Sequence, residues 1–229
     1  MNKLFFLRLQ TAYWLILLVT VDGISQSRLP NGFVDLSDQI PALICDLRYY
    51  SENNFMGTVA DGYHAQKCII SVEAARALVS VQVALRKEAL QLMIFDAYRP
   101  QRAVNHFVRW AKDSRDTTMK FHYYPEVRKS ELFKLGYIAS KSGHTRGSTV
   151  DLTVADLMGN ELDMGTSWDF FSQKSWPSNK EISIGAQANR GLLRKIMIQN
   201  GFVPYEAEWW HFTLVNEPFP DTYFDFVIE

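Results

Sequence analysis

The sequence predicts an α+β fold in one domain, and two observations carry that expectation. Helix-like stretches and apolar, β-rich runs follow one another in mixed order, as a sheet with helices packed around it requires. No repeat, low-complexity tract or Pro/Gly/Ser linker divides the ~200 residues after the N-terminal segment, a length that one core can fill.

The chain begins with Lys3 and Arg8, then the apolar run Ala12–Val21, then small and polar residues through Ser25. A basic start, a short apolar middle and small residues near a cut are the layout of a secretory signal. The run is shorter than the ~20 apolar residues a membrane helix needs. Residues 1–25 are therefore expected to be a signal peptide and 26–229 the mature domain, exported to the periplasm and without a stable membrane span. An uncleaved segment acting as a membrane anchor is the alternative. Loss of Lys3, Arg8 and Asp22 shifts the formal charge from −1 to −2, which leaves no electrostatic footprint for nucleic acid. No feature of the sequence defines an oligomer.

Two cysteines remain in the mature chain, Cys45 and Cys68. In an oxidising compartment they could pair, which by the chain-entropy estimate would contribute about 3 kcal/mol; as thiols they would act as small hydrophobes. Spacing leaves both open. Neither has a base near it in sequence, so neither is a candidate nucleophile.

A strand is expected around Ala42-Leu43-Ile44, ahead of Asp46-Leu47-Arg48-Tyr49-Tyr50. Ser71 reads as an N-cap, and Val72, Ala75, Leu78, Val79, Val81, Val83 and Leu85 give a helix to about Glu88 a broad apolar face. The largely apolar run Leu90–Phe95 reads as a central buried strand. It ends on Asp96-Ala97-Tyr98-Arg99-Pro100. Pro100 suits the first position of the next helix, Gln101 to about Lys112, which places Arg99 at a strand-to-helix junction where side chains commonly face a cleft. Residues 113–137 read as a long polar and aromatic loop with a short helix from Ser130 to Leu135. A further helix runs from Ala186 to Asn200 and stops at Gly201. His64, His106 and His122 have no acidic or second His partner at ligand spacing and read as ordinary structural or surface residues.

Two segments stand apart: Ser142-Gly143-His144-Thr145-Arg146-Gly147-Ser148-Thr149-Val150-Asp151 and Glu208-Trp209-Trp210-His211. Together they offer the two imidazoles and two carboxylates that a catalytic zinc site uses, with three N/O ligands and a base. Gly143 and Gly147 argue against a helix. A loop or strand carrying His144, a turn at Thr145-Arg146-Gly147 and a returning strand Ser148–Val154 would bring His144 to Asp151 across the bend. On a flat strand, Glu208 and His211 would face opposite sides, so Glu208 is expected on a bend before the strand that holds His211. Taken singly, each residue is equally well a hydrogen-bonded His or a turn Asp.

At these residues the chain resembles the D-alanyl-D-alanine dipeptidases of the VanX type, relatives of the zinc D-alanyl-D-alanine carboxypeptidases. The likeness runs from Asp46-Leu47-Arg48-Tyr49 through Phe95-Asp96-Ala97-Tyr98-Arg99-Pro100 to Tyr223-Phe224-Asp225-Phe226. It is most specific in Lys141–Thr153, in Met164-Gly165-Thr166-Ser167-Trp168-Asp169-Phe170 and in Glu208-Trp209-Trp210-His211. The resemblance implies a central, mostly antiparallel sheet carrying one zinc ion. It implies His144, Asp151 and His211 as ligands, Glu208 as catalytic base and Arg99 as the cation that stabilises the tetrahedral intermediate. Ser142 and Asp169 match positions that line the substrate pocket.

The reaction implied by the resemblance is hydrolysis of the dipeptide D-alanyl-D-alanine, in salvage or turnover of cell-wall material. A dipeptidase must exclude longer peptides, and Asp169 is the candidate either for the acid that meets the substrate amine or for ordering the pocket wall, with Trp209, Trp210 and the 113–137 loop limiting the volume. Two rivals stand beside it. One is a zinc D,D-carboxypeptidase or endopeptidase acting on peptidoglycan stems; the other is a zinc-binding domain of the same fold with no turnover.

Overall fold

The structure, a computed structural model, describes residues 29–229, so the expected signal segment lies outside it. In chain order its elements are β1 (Phe33–Asp35), β2 (Ile44–Cys45), β3 (Ile69–Ser71), α1 (Val72–Lys87), β4 (Leu90–Asp96), α2 (Gln101–Lys112), α3 (Lys120–Tyr123), β5 (Thr149–Asp156), α4 (Ile184–Gln199), β6 (Phe202–Pro204) and β7 (His211–Leu214). Five strands form the main sheet in the spatial order β2-β4-β5-β7-β6, and β1 pairs with β3 in a small second sheet. Only β2 joins its neighbour in parallel; the other ladders of the main sheet are antiparallel. The α+β class and the mostly antiparallel sheet agree with the sequence.

Local chemistry sets the helices. The Ser71 hydroxyl accepts from Ala74 N at 3.3 Å and starts α1, whose Leu78, Val81 and Leu85 are fully buried. Ser183 does the same for α4 through Ala186 N at 3.0 Å, and Gly201, at φ +87°, ends it. The two longest strands, β4 and β5, are buried on both faces, which is why β4 reads as a continuous apolar run. One apolar cluster, rich in aromatic rings, extends through the described residues on both sides of the sheet.

The register of the sheet has one irregularity. β4 and β5 pair residue for residue from Leu90↔Asp156 to Ile94↔Leu152, and then a bulge at Phe95 makes Asp96 the partner of Asp151. An extra residue reverses which face the following side chains take. Without it Phe95, not Asp96, would oppose Asp151. On the other side of β5, Asp151 pairs with His211 of β7. Asp96, Asp151 and His211 therefore form one row across three strands.

Several boundaries differ from expectation. The strand expected over 42–44 begins only at Ile44, because Ala42 sits at φ +59°, which no strand residue adopts. Pro100 lies one position before α2 in an extended conformation rather than inside it. The helix expected over 130–135 is a single 3₁₀ turn, Lys129–Glu131, and the helical turn of this loop is α3 instead.

Gly147 locks the turn between His144 and β5. Its φ is +84°, and a Cβ there would stand 2.3 Å from Phe33 Cε1. Gly147→Ala therefore meets backbone strain and overpacking together and is expected to cost about 2–5 kcal/mol. Chemical denaturation of the metal-free protein checks this, and a midpoint equal to wild type contradicts it.

Candidate active site

His144 comes from neither a strand nor a hairpin. It sits in the 3₁₀ turn Gly143–Arg146, which the Ser142 hydroxyl caps by accepting from His144 N at 3.3 Å and which Gly147 closes in the left-handed region. Arg99 N donates to His144 O, and Ser71 N donates to Gly147 O. These bonds fix the turn to the end of β4 and to β3. The expected meeting of His144 with Asp151 occurs, through a tighter turn than the sequence suggests.

His144 Nε2, Asp151 Oδ1 and His211 Nδ1 form a triangle. Its edges are 3.4 Å between the two nitrogens, 3.2 Å from His144 to Asp151 and 3.0 Å from His211 to Asp151. A metal ion held ~2.0–2.1 Å from each of three ligands in tetrahedral geometry requires them to stand ~3.3 Å apart. The surroundings orient all three atoms inward. His144 Nδ1 donates to Ala97 O at 2.7 Å, which leaves the Nε2 lone pair free. Trp168 Nε1 donates to Asp151 Oδ2 at 3.3 Å, while Oδ1 is buried and receives no hydrogen bond. A buried carboxylate oxygen left in this state costs stability unless a cation completes it.

The charges agree. Burial would raise the Asp151 carboxyl, yet the two imidazoles hold it well below the usual carboxylate range. Burial would lower His211, but Asp151 and Glu208 push it up to about 10. The centre attracts one positive charge, which a metal ion can supply in place of a proton. Among the described residues, His144, Asp151 and His211 form a group able to hold a metal ion.

Glu208 lies, as expected, in a bend ahead of β7, with Glu208 N bonded to Tyr205 O and His211 N to Glu208 O. The bend brings its Oε2 to 3.3 Å from His211 Nδ1, beside the triangle but outside it. Arg99 lines the same pocket. Its Nε and Nη2 reach Asp96 Oδ2 at 2.9 and 2.8 Å, and Nη2 lies 3.6 Å from Asp151 Oδ2. Burial works against its charge, but Asp96, foremost among its neighbours, keeps it protonated.

Ser142 and Asp169 both line the pocket. Asp169 stands at φ +57° and accepts a hydrogen bond of 2.6 Å from Tyr49 Oη. Burial pushes its carboxyl well above the usual range, the nearby Asp151 adds to this, and the Tyr49 hydroxyl opposes it. Such a group gains from a cationic partner.

Three supporting residues escape a sequence reading. Asp96 takes part only because of the bulge; it holds Arg99, accepts from Tyr63 Oη at 2.6 Å and lies 3.6 Å from His144 Nδ1. Tyr49 and Trp168 are ordinary aromatic residues until the fold sets them against Asp169 and Asp151. Trp209 and Trp210, expected to wall the pocket, do not: both are buried in the core, and Trp209 Nε1 donates to Thr166 Oγ1 at 2.9 Å. The 113–137 loop, also expected there, does line the pocket through Gly136 and Tyr137, and Phe171 and Tyr205 join it.

Fold and site together define an α+β enzyme with a two-histidine, one-aspartate centre, buried at His144 and Asp151 and half-buried at His211, able to hold one metal ion. The chain belongs to the peptidase M15 family, described as D-ala-D-ala dipeptidase, whose model matches residues 30–229. A D-alanyl-D-alanine dipeptidase of Enterococcus faecalis is 40% identical over 201 residues, 87% of this chain and 100% of the relative. One from Streptomyces coelicolor is 39% identical over 201 residues, with the same two shares. One from Enterococcus faecium is 38% identical over 199 residues, 86% of this chain and 98% of the relative.

Trp168→Phe removes the donor to Asp151 Oδ2 with little change in packing. Metal affinity is expected to fall ~10–100-fold, as for other partners that orient a ligand. Competition titration against a chromophoric chelator reads this directly, and unaltered affinity contradicts the role given to Trp168.

Proposed function

We propose that this protein is an exported zinc dipeptidase that hydrolyses D-alanyl-D-alanine to two D-alanines. The observation that carries the proposal is the triangle of His144 Nε2, Asp151 Oδ1 and His211 Nδ1 with Glu208 beside it. Two imidazoles with one hard carboxylate oxygen suit zinc better than copper or iron–sulfur chemistry. The dipeptide, rather than a longer stem, is favoured by the relatives of 38–40% identity, all D-alanyl-D-alanine dipeptidases.

His144, Asp151 and His211 would hold the zinc. When bound, the ion supplies a water acidified toward pKa ~7 and polarises the scissile carbonyl. Glu208 takes the proton from the attacking water on a carboxylate oxygen and hands it to the leaving amine. Arg99, clamped by Asp96, presents a fixed positive charge to the developing oxyanion without having to reorganise. Asp169, steered by Tyr49, pairs with the free ammonium of the dipeptide, whose charge offsets the burial of the carboxylate. Ser142 contributes polar wall.

Export also bears on role. An enzyme outside the cytoplasm meets dipeptide released from the wall and not the precursor pool, so salvage is the function we assign it.

The test is a substrate panel on zinc-replete protein: D-Ala-D-Ala, L-Ala-L-Ala and a pentapeptide ending in D-Ala-D-Ala. The D,D-dipeptide is expected to exceed both in kcat/KM by at least ~10²-fold, with activity lost to a chelator and restored by zinc. Glu208→Ala is expected to keep one zinc per chain while kcat falls ~10²–10⁴-fold. Efficient pentapeptide cleavage overturns the substrate assignment, and near-wild-type turnover of the variant overturns the base.

A further inference from the structure

Arg190 lies on α4, does not line the pocket, and is only 3% exposed. Its hydrogen-bond partners are carbonyls and a hydroxyl. Nε donates to Met164 O at 2.6 Å, Nη1 to Lys174 O at 3.0 Å and to Trp176 O at 2.9 Å, and Nη2 to Thr166 Oγ1 at 3.3 Å. All four acceptors belong to residues 164–176, a stretch with no strand or α-helix and a single 3₁₀ turn at Gln173–Ser175. That stretch carries Trp168, which donates to Asp151, and Asp169, which lines the pocket. Lacking a ladder of its own, it has its carbonyls satisfied by a buried guanidinium with a rigid fork of donors.

Thr166 extends the contact. Its Oγ1 accepts from Arg190 and, at 2.9 Å, from Trp209 Nε1, so both lone pairs are filled and its proton goes to Ser175 Oγ, 3.1 Å away. Ser175 in turn donates to Phe170 O at 2.6 Å. The bonds thus run in one direction, from Arg190 and Trp209 through two hydroxyls to the carbonyl of the residue after Asp169. Asp169 stands at φ +57°, a conformation that a non-glycine residue keeps only where its surroundings fix it. Trp209 N also donates to Ser175 O at 3.0 Å, so the residue next to Glu208 is tied to the same stretch by backbone and by side chain.

We propose that Arg190 is a positioning residue for the reaction: by gathering residues 164–176 and, through Thr166, Trp209, it fixes Trp168, Asp169 and Glu208 relative to one another. The inference rests on the dipeptidase reading for what those three groups do, and on the hydrogen bonds alone for how they are held. Burial draws the pKa of Arg190 down to about 10 against the opposing pull of Asp163, so the group is charged at neutral pH and keeps all its donors. Lysine does not replace it, since one ammonium cannot serve acceptors set around a planar fork.

The experiment compares the full wild-type chain with Thr166→Val, Arg190→Lys and Asn189→Ala. Asn189→Ala is the control: Asn189 also ties α4 to this region, its Nδ2 donating to Asp163 O at 2.9 Å, but it holds none of the three groups. Zinc affinity is read by chelator competition, kcat and KM on D-Ala-D-Ala, and stability by melting of the metal-free protein. Thr166→Val and Arg190→Lys are expected to lose ~10-fold in zinc affinity, through Trp168, and ~10²-fold in kcat/KM, with kcat falling and KM rising. Asn189→Ala should match wild type in both. Thr166→Val or Arg190→Lys melting lower yet keeping wild-type zinc affinity and kinetics overturns the positioning role, as does an equal loss in Asn189→Ala. If Arg190→Lys does not fold, Thr166→Val decides the matter by the same readouts. A wild type that binds zinc without cleaving the dipeptide overturns the proposed function instead, and the zinc comparison still decides for or against Arg190.

Discussion

One extra residue in one strand decides what this sheet can do. Because β4 bulges at Phe95, the carboxylate of Asp96 instead of an aromatic ring shares a row with Asp151 and His211. That row is the floor of the site. His144 is delivered to it from above by a 3₁₀ turn that Ser142 opens and Gly147 closes. Strand pairing and backbone hydrogen bonds, which are rigid, set the positions of all three candidate ligands; only Glu208 depends on a bend.

Buried charge is the second constraint, and it arises from the first. Asp96, Asp151 and Asp169 are all nearly inaccessible, and carboxylates in such places need partners. Each has a distinct one. Asp96 is bound to Arg99 and Tyr63; Asp169 is bound to Tyr49 and open to the pocket; Asp151 keeps one oxygen on Trp168 and turns the other toward two imidazoles. The molecule thus separates a carboxylate that fixes a cation, one that faces a pocket and one that belongs to the group able to hold a metal ion.

Much of this was legible in the sequence, and the limits have physical causes. The caps at Ser71 and Gly201, the buried strand over 90–95 and the bend at Glu208 are local, and local rules found them. The pairing of His144 with Asp151 was legible because the intervening Gly147 calls for a turn. Asp96 was not, since a bulge is fixed by what lies across the ladder and not by the strand's own residues. Nor were Tyr49, Tyr63 and Trp168, whose hydroxyls and indole acquire roles only from partners far away in sequence. The tryptophans at 209 and 210 misled for a related reason: next to Glu208 in sequence, they are turned into the core by the same bend that turns Glu208 out of it.

The central claim is that three atoms from two distant segments share one ion while Glu208 stands by unbound. Diffraction from zinc-loaded crystals at the zinc absorption edge tests it most directly. The account predicts one anomalous peak per chain, ~2.0–2.1 Å from His144 Nε2, Asp151 Oδ1 and His211 Nδ1, with Glu208 beyond bonding distance. A peak elsewhere, or one that takes Glu208 as a ligand in place of Asp151, would contradict it.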